Sequence, residues 1–281
     1  MPSSPLLLRC ADRTLDLTRP LVMGVLNVTP DSFSDGGRFL SSAAAVEQGV
    51  RLAAEGAAII DVGGESTRPG AEAVGVDEEL RRVVPVIERL HAATDAIISI
   101  DTSKPEVMRA ASAAGAGLIN DVTALRAPHA LAAAAASGCA VCLMHMQGEP
   151  RTMQLAPRYT DVVGEVRAFL AARVAASLAA GLTPERLVVD PGFGFGKTVE
   201  HNLTLLRHLA GLAIDGRPVL VGLSRKSMLG TLTGRASGER LHGSVARAVI
   251  AALRGARIIR AHDVAATVEA LKVVAAIAEG E

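Results

Sequence analysis

The residues best suited to chemistry in this sequence stand one at a time at the ends of short apolar runs. In chain order they are Asn27, Thr67, Asp101, Asn120, His145, Asp190, Lys226, and Arg260 with His262. Asp101, Asn120 and Asp190 supply carboxylates and an amide. Such groups suit adjacent N–H donors, for example the amino-pyrimidinone edge of a pterin or guanine, which a carboxylate grips in bidentate fashion. Lys226 could donate to the carbonyl of the same ring. Arg68, Arg260 and His262 could hold phosphate oxygens nearer a rim, with Asn27 ligating Mg²⁺ that bridges them. The set therefore describes a planar heterocycle carrying phosphate. No residue pair resembles a nucleophile with its base, as covalent catalysis would need.

The densest stretch is LVVDPGFGFGKT, Leu187 to Thr198. Leu187, Val188 and Val189 read as a strand buried on both faces, and Pro191 ends its ladder. Gly192, Gly194 and Gly196 let the backbone turn tightly and approach something closely. Asp190 is thus held at a strand's C-terminal tip. Lys197-Thr198 suggests a P-loop, but that motif needs a glycine where Pro191 stands. Helix capping is the plain alternative for Asp190, as it is for Asp101 ahead of Ser103-Lys104-Pro105-Glu106. Capping accounts for any one tip more readily than for a polar residue at all of them.

Eight short apolar runs position these residues. They are Leu21–Leu26, Ala57–Val62, Ala96–Ile100, Gly117–Ile119, Cys139–Leu143, Leu187–Val189, Pro218–Val221 and Arg257–Ile259. Helical patterns follow them, including one capped by Ser41 or Ser42 and running to Glu55, one from Asp77 to about Thr94, one from about Val162 to Ala180 and one from Ser244 to about Arg254. Alternation of this kind predicts a single (β/α)8 TIM barrel over residues 1–281, with the site at the C-terminal strand ends. An open doubly wound sheet would also alternate, but no Rossmann glycine pattern is present. Residues 1–20 read as an N-terminal extension with a short hairpin around Asp12-Arg13, and Thr231, Gly234 and Gly238 as part of a longer insertion. The loop TPDSFSDGG exposes Phe33 between Asp31 and Asp35, which suggests a substrate-covering loop.

Composition removes several classes of function. Lys+Arg and Asp+Glu are both 29, so net charge is zero and no basic tail points to nucleic acid or an anionic membrane. There is no Trp and one Tyr, too few aromatics for nucleobase stacking platforms. The longest uncharged apolar run, Ala130 to Met144, is broken by Ser137-Gly138 and is shorter than the ~20 residues of a membrane span. No signal peptide is read at the N-terminus, which leaves a cytoplasmic location. Three cysteines argue against a disulfide framework. Cys139 and Cys142 have CxxC spacing, but in a strand they point to opposite faces and cannot grip one metal. Scattered histidines indicate no zinc site.

Eight blocks together resemble the dihydropteroate synthase family: NVTPDSFSDGG from Asn27, GGESTRPGA from Gly63, SIDTSKPEVMRAA from Ser99, IND from Ile119, LMHMQGEPRTMQ from Leu143, DPGFGFGKTVEHN from Asp190, GLSRKSMLG from Gly222 and RAHD from Arg260. The resemblance covers nearly the whole chain. It implies a (β/α)8 barrel that joins 4-aminobenzoate to 6-hydroxymethyl-7,8-dihydropterin diphosphate, releasing diphosphate, with Mg²⁺ as cofactor. Carried over by position, it implies that Asp101, Asn120, Asp190 and Lys226 bind the pterin, lined by Met144 and Phe195. Asn27 would hold Mg²⁺ and diphosphate, and Arg260 and His262 the diphosphate. Thr67, Arg68, Pro69, Phe33 and Ser227 would shape the aminobenzoate site, where sulfonamides compete. Asp101, Asp190, Lys226 and Arg260 are the implied catalytic group, acting on a dissociative C–O cleavage, and the family implies a homodimer. Two other readings stay open: a methyltetrahydrofolate methyltransferase barrel, and a relative that binds pterin without turnover.

Overall fold

Eight parallel strands close into a barrel in the computed structural model, which describes residues 6–29, 38–66, 73–149 and 152–278. The barrel strands are β3 (Leu21–Asn27), β4 (Ile59–Gly63), β5 (Ile97–Asp101), β6 (Leu118–Asp121), β7 (Ala140–Met144), β8 (Leu187–Asp190), β9 (Val219–Gly222) and β10 (Ala256–Ala261). Each pairs with its neighbour in sequence, and β10 returns to β3 through Ile258 beside Leu21 and Arg260 beside Met23. Every C-terminal strand end therefore lies on one rim. The strands run into the polar tips: Asn27, Asp101, Asn120, Asp121 and Asp190 are paired strand residues, where the apolar runs alone ended before them. Ladder pairing fixes the backbone under these side chains.

Helices cover the barrel: α1 (Arg38–Ala54), α2 (Val76–Ala93), α3 (Pro105–Ala113), α4 (Ala130–Ser137), α5 (Val162–Ala179), α6 (Val199–Arg207), α7 (Ser227–Thr233), α8 (Leu241–Leu253) and α9 (Val264–Ala278). Pro105 opens α3 at a position where no N–H is needed, and Gly138, at φ +75°, ends α4. Two boundaries differ from expectation. Helix α1 begins at Arg38, ahead of Ser41 and Ser42, so neither serine is its cap. The segment read as an insertion contains α7, held by buried Met228 and Leu229 and closed by Gly234 in the left-handed region. Only two apolar anchors mark that helix, too few for a visible helical period.

Strand parity sorts the barrel interior into layers. Met23, Ile59, Ile97, Leu118, Ala140, Val188, Leu220 and Ile258 form a lower apolar layer. A hairpin of β1 (Leu7–Cys10) and β2 (Arg13–Asp16) adds Leu8, Cys10 and the following Leu17 to that cluster, placing apolar side chains against the end of the barrel opposite the polar tips. The outward-facing strand residues join the helices in a separate, larger cluster. Cys142 belongs to the interior and Cys139 to the outer layer, so the two sulfurs do face opposite ways. All three cysteines are free and buried. Among the described residues no helix is long and apolar enough to cross a membrane.

Candidate active site

Two residues beyond the apolar layer, the same inward positions turn polar: Asp61, Ser99, Asn120, Asp190 and Arg260. Asp61 is their hub. Its Oδ1 accepts from Ser99 Oγ at 2.6 Å, and its Oδ2 accepts from Asn120 Nδ2 at 3.0 Å and from Arg260 Nε at 2.6 Å. Arg260 Nη2 donates to Asp101 Oδ2 at 2.9 Å. The amide nitrogen of Asn120 is thereby committed, and its carbonyl oxygen is the group left for a ligand. Asp61 escapes a search of strand tips because it lies inside β4. Its signal is parity: a carboxylate on the inward face of a buried strand must have a partner there.

Burial and, next, the neighbouring Asp61 charge raise the Asp101 carboxyl to about 7, against the pull of Arg260. Burial opposes the charge on Arg260, but Asp61 and Asp101 outweigh it and lift its pKa above the usual range. Arg260 was expected to hold phosphate at the rim. Its Nε and Nη2 bind carboxylates within the mouth, and its Nη1, without a hydrogen bond among the described residues, is the group that remains for a phosphate oxygen.

The loop after β8 carries the second half of the site. Asp190 Oδ1 accepts from Gly192 N at 2.7 Å, while burial raises its pKa. Gly192 has φ +69°, and a Cβ there would meet His145 O at 1.8 Å; at Gly196, with φ +61°, it would meet Gln147 O at 2.3 Å. Both close approaches exclude side chains, as the alternating glycines suggested. Lys197 is a strut, not a phosphate ligand: its Nζ donates to Gly192 O at 2.9 Å and Phe195 O at 3.0 Å, and lies 2.9 Å from His145 Nδ1. Burial, reinforced by Lys197, pushes the His145 pKa down to about 3, so this tip residue is neutral at physiological pH. Asn202 Oδ1 accepts from Gly194 N at 2.7 Å, tying the loop to α6.

Lys226 comes over from the end of β9. Its Nζ donates to Phe193 O and stands 4.4 Å from the centroid of the Phe195 ring. Burial drives its pKa down to about 7, opposed by Asp190. The neighbouring Arg225 turns away to pair with Asp263, so the cationic cluster expected at this tip divides. Met144, beside Asp190 in the ladder, packs with Val122, Met146 and Met153, and Phe195 lies against them. This apolar wall next to carboxylates and a lysine suits a flat, polar-edged ring.

A family model described as pterin binding enzyme matches residues 23–262. The chain is 55% identical to the dihydropteroate synthase of Escherichia coli strain K12 over 263 residues, 94% of this chain and 93% of that one. The chain belongs to the dihydropteroate synthase family. Among solved structures of the family, Xanthomonas albilineans dihydropteroate synthase with 4-aminobenzoic acid superposes with a TM-score of 0.92 at 58% identity, covering 98% of each chain. The same organism's enzyme in complex with 7,8-dihydropteroate gives a TM-score of 0.88 at 56% identity, covering 96% of this chain and 98% of that one.

The dihydropteroate synthase motif residues Asn27 and His262 also line a cleft of about 660 Å³ between α1 and α9, whose walls include Gln48, Arg51 and Glu55 on one side and Val264 on the other. His262 Nδ1 lies 3.1 Å from Ser224 Oγ. Mg²⁺ takes hard oxygen ligands and keeps several waters and phosphate oxygens, so it needs few from protein. One amide oxygen from Asn27, at the end of β3 and near Gly63 together with Asp101, fits that requirement. Ser227 is exposed as the first residue of α7. Phe33, Thr67, Arg68 and Pro69 lie outside the described residues. A larger external cleft, about 810 Å³, includes Arg167, Arg207 and Arg254 and none of the strand-tip residues.

Proposed function

We infer that the chain condenses 6-hydroxymethyl-7,8-dihydropterin diphosphate with 4-aminobenzoate, forming 7,8-dihydropteroate and releasing diphosphate. The observation that carries this reading is the Asp61-centred polar layer facing Lys226 in a dihydropteroate synthase barrel. Asp190 and Asn120 offer acceptor oxygens to the ring's N–H edge, and Lys226 donates to its carbonyl. Met144 and Phe195 flank the ring. Asp101 lies across the mouth, where it stabilises positive charge on the pterin as the C–O bond breaks and the bonding electrons leave with diphosphate. The amine nitrogen then forms the new C–N bond and sheds a proton. Arg260 Nη1 and His262 bind diphosphate oxygens. Asn27 would hold Mg²⁺, which when bound would supply charge neutralisation to the leaving diphosphate. Ser227, with Phe33, Thr67, Arg68 and Pro69, forms the aminobenzoate site, where sulfonamides compete.

The decisive experiment supplies the pterin diphosphate and Mg²⁺ with and without 4-aminobenzoate. Dihydropteroate formed only with the amine supports the reading. Pterin binding with neither product would leave a non-catalytic relative, and absence of binding would overturn the site.

We propose a cytoplasmic location for the reaction, a reading that three buried, unpaired thiols support. The chain is proposed to form a homodimer through α8 and α9, which expose Ile250, Leu253, Val273 and Ile277. Light scattering that returned one chain's mass at micromolar concentration would refute the dimer.

A further inference from the structure

Arg247 is a buried cation without a counter-ion among the described residues. It lies on α8 with only 6% of its surface exposed. Its Nη2 stands 2.8 Å from Met228 Sδ, and its Nε and Nη1 have no hydrogen-bond partner among the described residues. Burial lowers its pKa only to about 10, so it is charged at neutral pH. Removing a guanidinium from water without pairing it costs several kcal/mol, a cost expected where another part of the molecule, or a ligand, supplies compensation.

Met228 connects this charge to the site. It touches Arg247 on one side and on the other lines a cavity of about 190 Å³ with Lys197, Lys226, Ser227 and Thr231. Among the described residues no Asp or Glu lines that cavity, and two lysines do. The field of Arg247 reaches it, since the guanidinium contributes to holding down the Lys226 pKa. Through low-dielectric protein such a field falls slowly with distance.

We propose that Arg247 is a positioning residue that, without touching the ligand, tunes the pocket walled by Lys226, Ser227 and Met228 for an aryl amine bearing a negative charge. The inference rests on the synthase reading and deepens it. Lys197 spends its ammonium on backbone carbonyls and Lys226 is shared between Phe193 O and the pterin carbonyl, whereas Arg247 keeps two donors unspent behind Met228. The anion that balances it is the carboxylate of the second substrate.

The test compares kcat/KM for 4-aminobenzoate and for its neutral analogue 4-aminobenzamide in the wild type, Arg247→Met and Arg247→Lys. The Met variant should lower the preference for the carboxylate by about fivefold, and the Lys variant, keeping the charge, should restore it. Equal losses for both amines, or an unchanged preference, would overturn the proposal. Arg247→Met removes an unpaired charge and should melt no lower than wild type; Arg247→Gln provides a second neutral variant with the same expected preference. Should the wild type turn over neither amine, the synthase reading fails on its own. Binding of benzoate against benzamide to wild type and Arg247→Met, followed by ligand NMR, then decides the pocket's charge preference separately.

Discussion

Arg260 on β10 reaches past the intervening strand β3 to place its Nε 2.6 Å from Oδ2 of Asp61 on β4. Asp61 is fully buried, and it also orients the Asn120 amide and Ser99. Removing one partner of a buried pair leaves an uncompensated charge, so Asp61→Ala should lower stability by about 3 kcal/mol. Asp61→Asn keeps the volume but can turn its amide nitrogen toward Arg260. It should weaken binding of the pterin by about tenfold or more. Thermal melts and pterin titrations check both, and pterin affinity unchanged in Asp61→Asn would remove Asp61 from the site.

Asp101 and Lys226 both have pKa values brought to about 7, in each case chiefly by burial. Asp101 must be ionised to stabilise positive charge, and Lys226 must be protonated to donate. A plot of kcat/KM against pH should therefore be bell-shaped, with its acidic limb lost in Asp101→Asn. The same shift affects stability. Asp101 binds its proton more tightly folded than unfolded, so its contribution is present below its ordinary pKa of 3.8 and is lost as pH rises through about 7. The melting temperature of Asp101→Asn relative to wild type should accordingly rise between pH 4 and pH 8.

Gly192 and Gly216 share a positive φ, +69° and +77°, but not their surroundings. A Cβ at Gly216 meets nothing within 4 Å, while one at Gly192 would collide with His145 O. Gly216→Ala should cost about 1 kcal/mol from backbone strain alone. Gly192→Ala should cost more than twice that and should also weaken pterin binding, since it displaces the N–H that orients Asp190. Equal melting temperatures for the two variants would show that the loop yields.

Chelation of Mg²⁺ should abolish diphosphate release while leaving the barrel folded, and Asn27→Ala should raise the Mg²⁺ concentration needed for half-maximal rate by about tenfold. Rates measured across a Mg²⁺ titration, with circular dichroism as the control, decide this. An Asn27→Ala titration curve identical to wild type would place the metal elsewhere.

Diphosphate release should depend little on the nucleophilicity of the amine if C–O cleavage precedes attack. A series of ring-substituted 4-aminobenzoates measures that dependence. A steep rise in release rate with amine basicity would indicate concerted displacement instead.

The fold was legible because each strand of this barrel is a short Val, Ile and Leu run closed by a turn signal, and the polar tips mark its C-terminal face. Asp101, Asn120 and Asp190 are visible for that reason. Asp61 was hidden by its own position, two residues inside β4, where only the inward parity of neighbouring strands exposes it. Arg260 could be read as a cation but not as a cation turned inward, because that depends on carboxylates from β4 and β5. Lys197 resembled a phosphate ligand in sequence, yet the glycine turns fold its ammonium back onto three backbone carbonyls and an imidazole. Arg247 lacks any local pattern, since its meaning lies in what it fails to meet.

The three buried thiols make the barrel its own reporter of opening. Cys10 sits on the hairpin at the barrel end, Cys142 inside the barrel and Cys139 in the layer under the helices. A thiol reagent in solution can reach each only when its own compartment opens. Their labelling rates would therefore separate detachment of the hairpin, parting of the helices and rupture of the strands. If Cys10 reacts ahead of the other two, the closure opposite the active site works loose while the catalytic end stays whole.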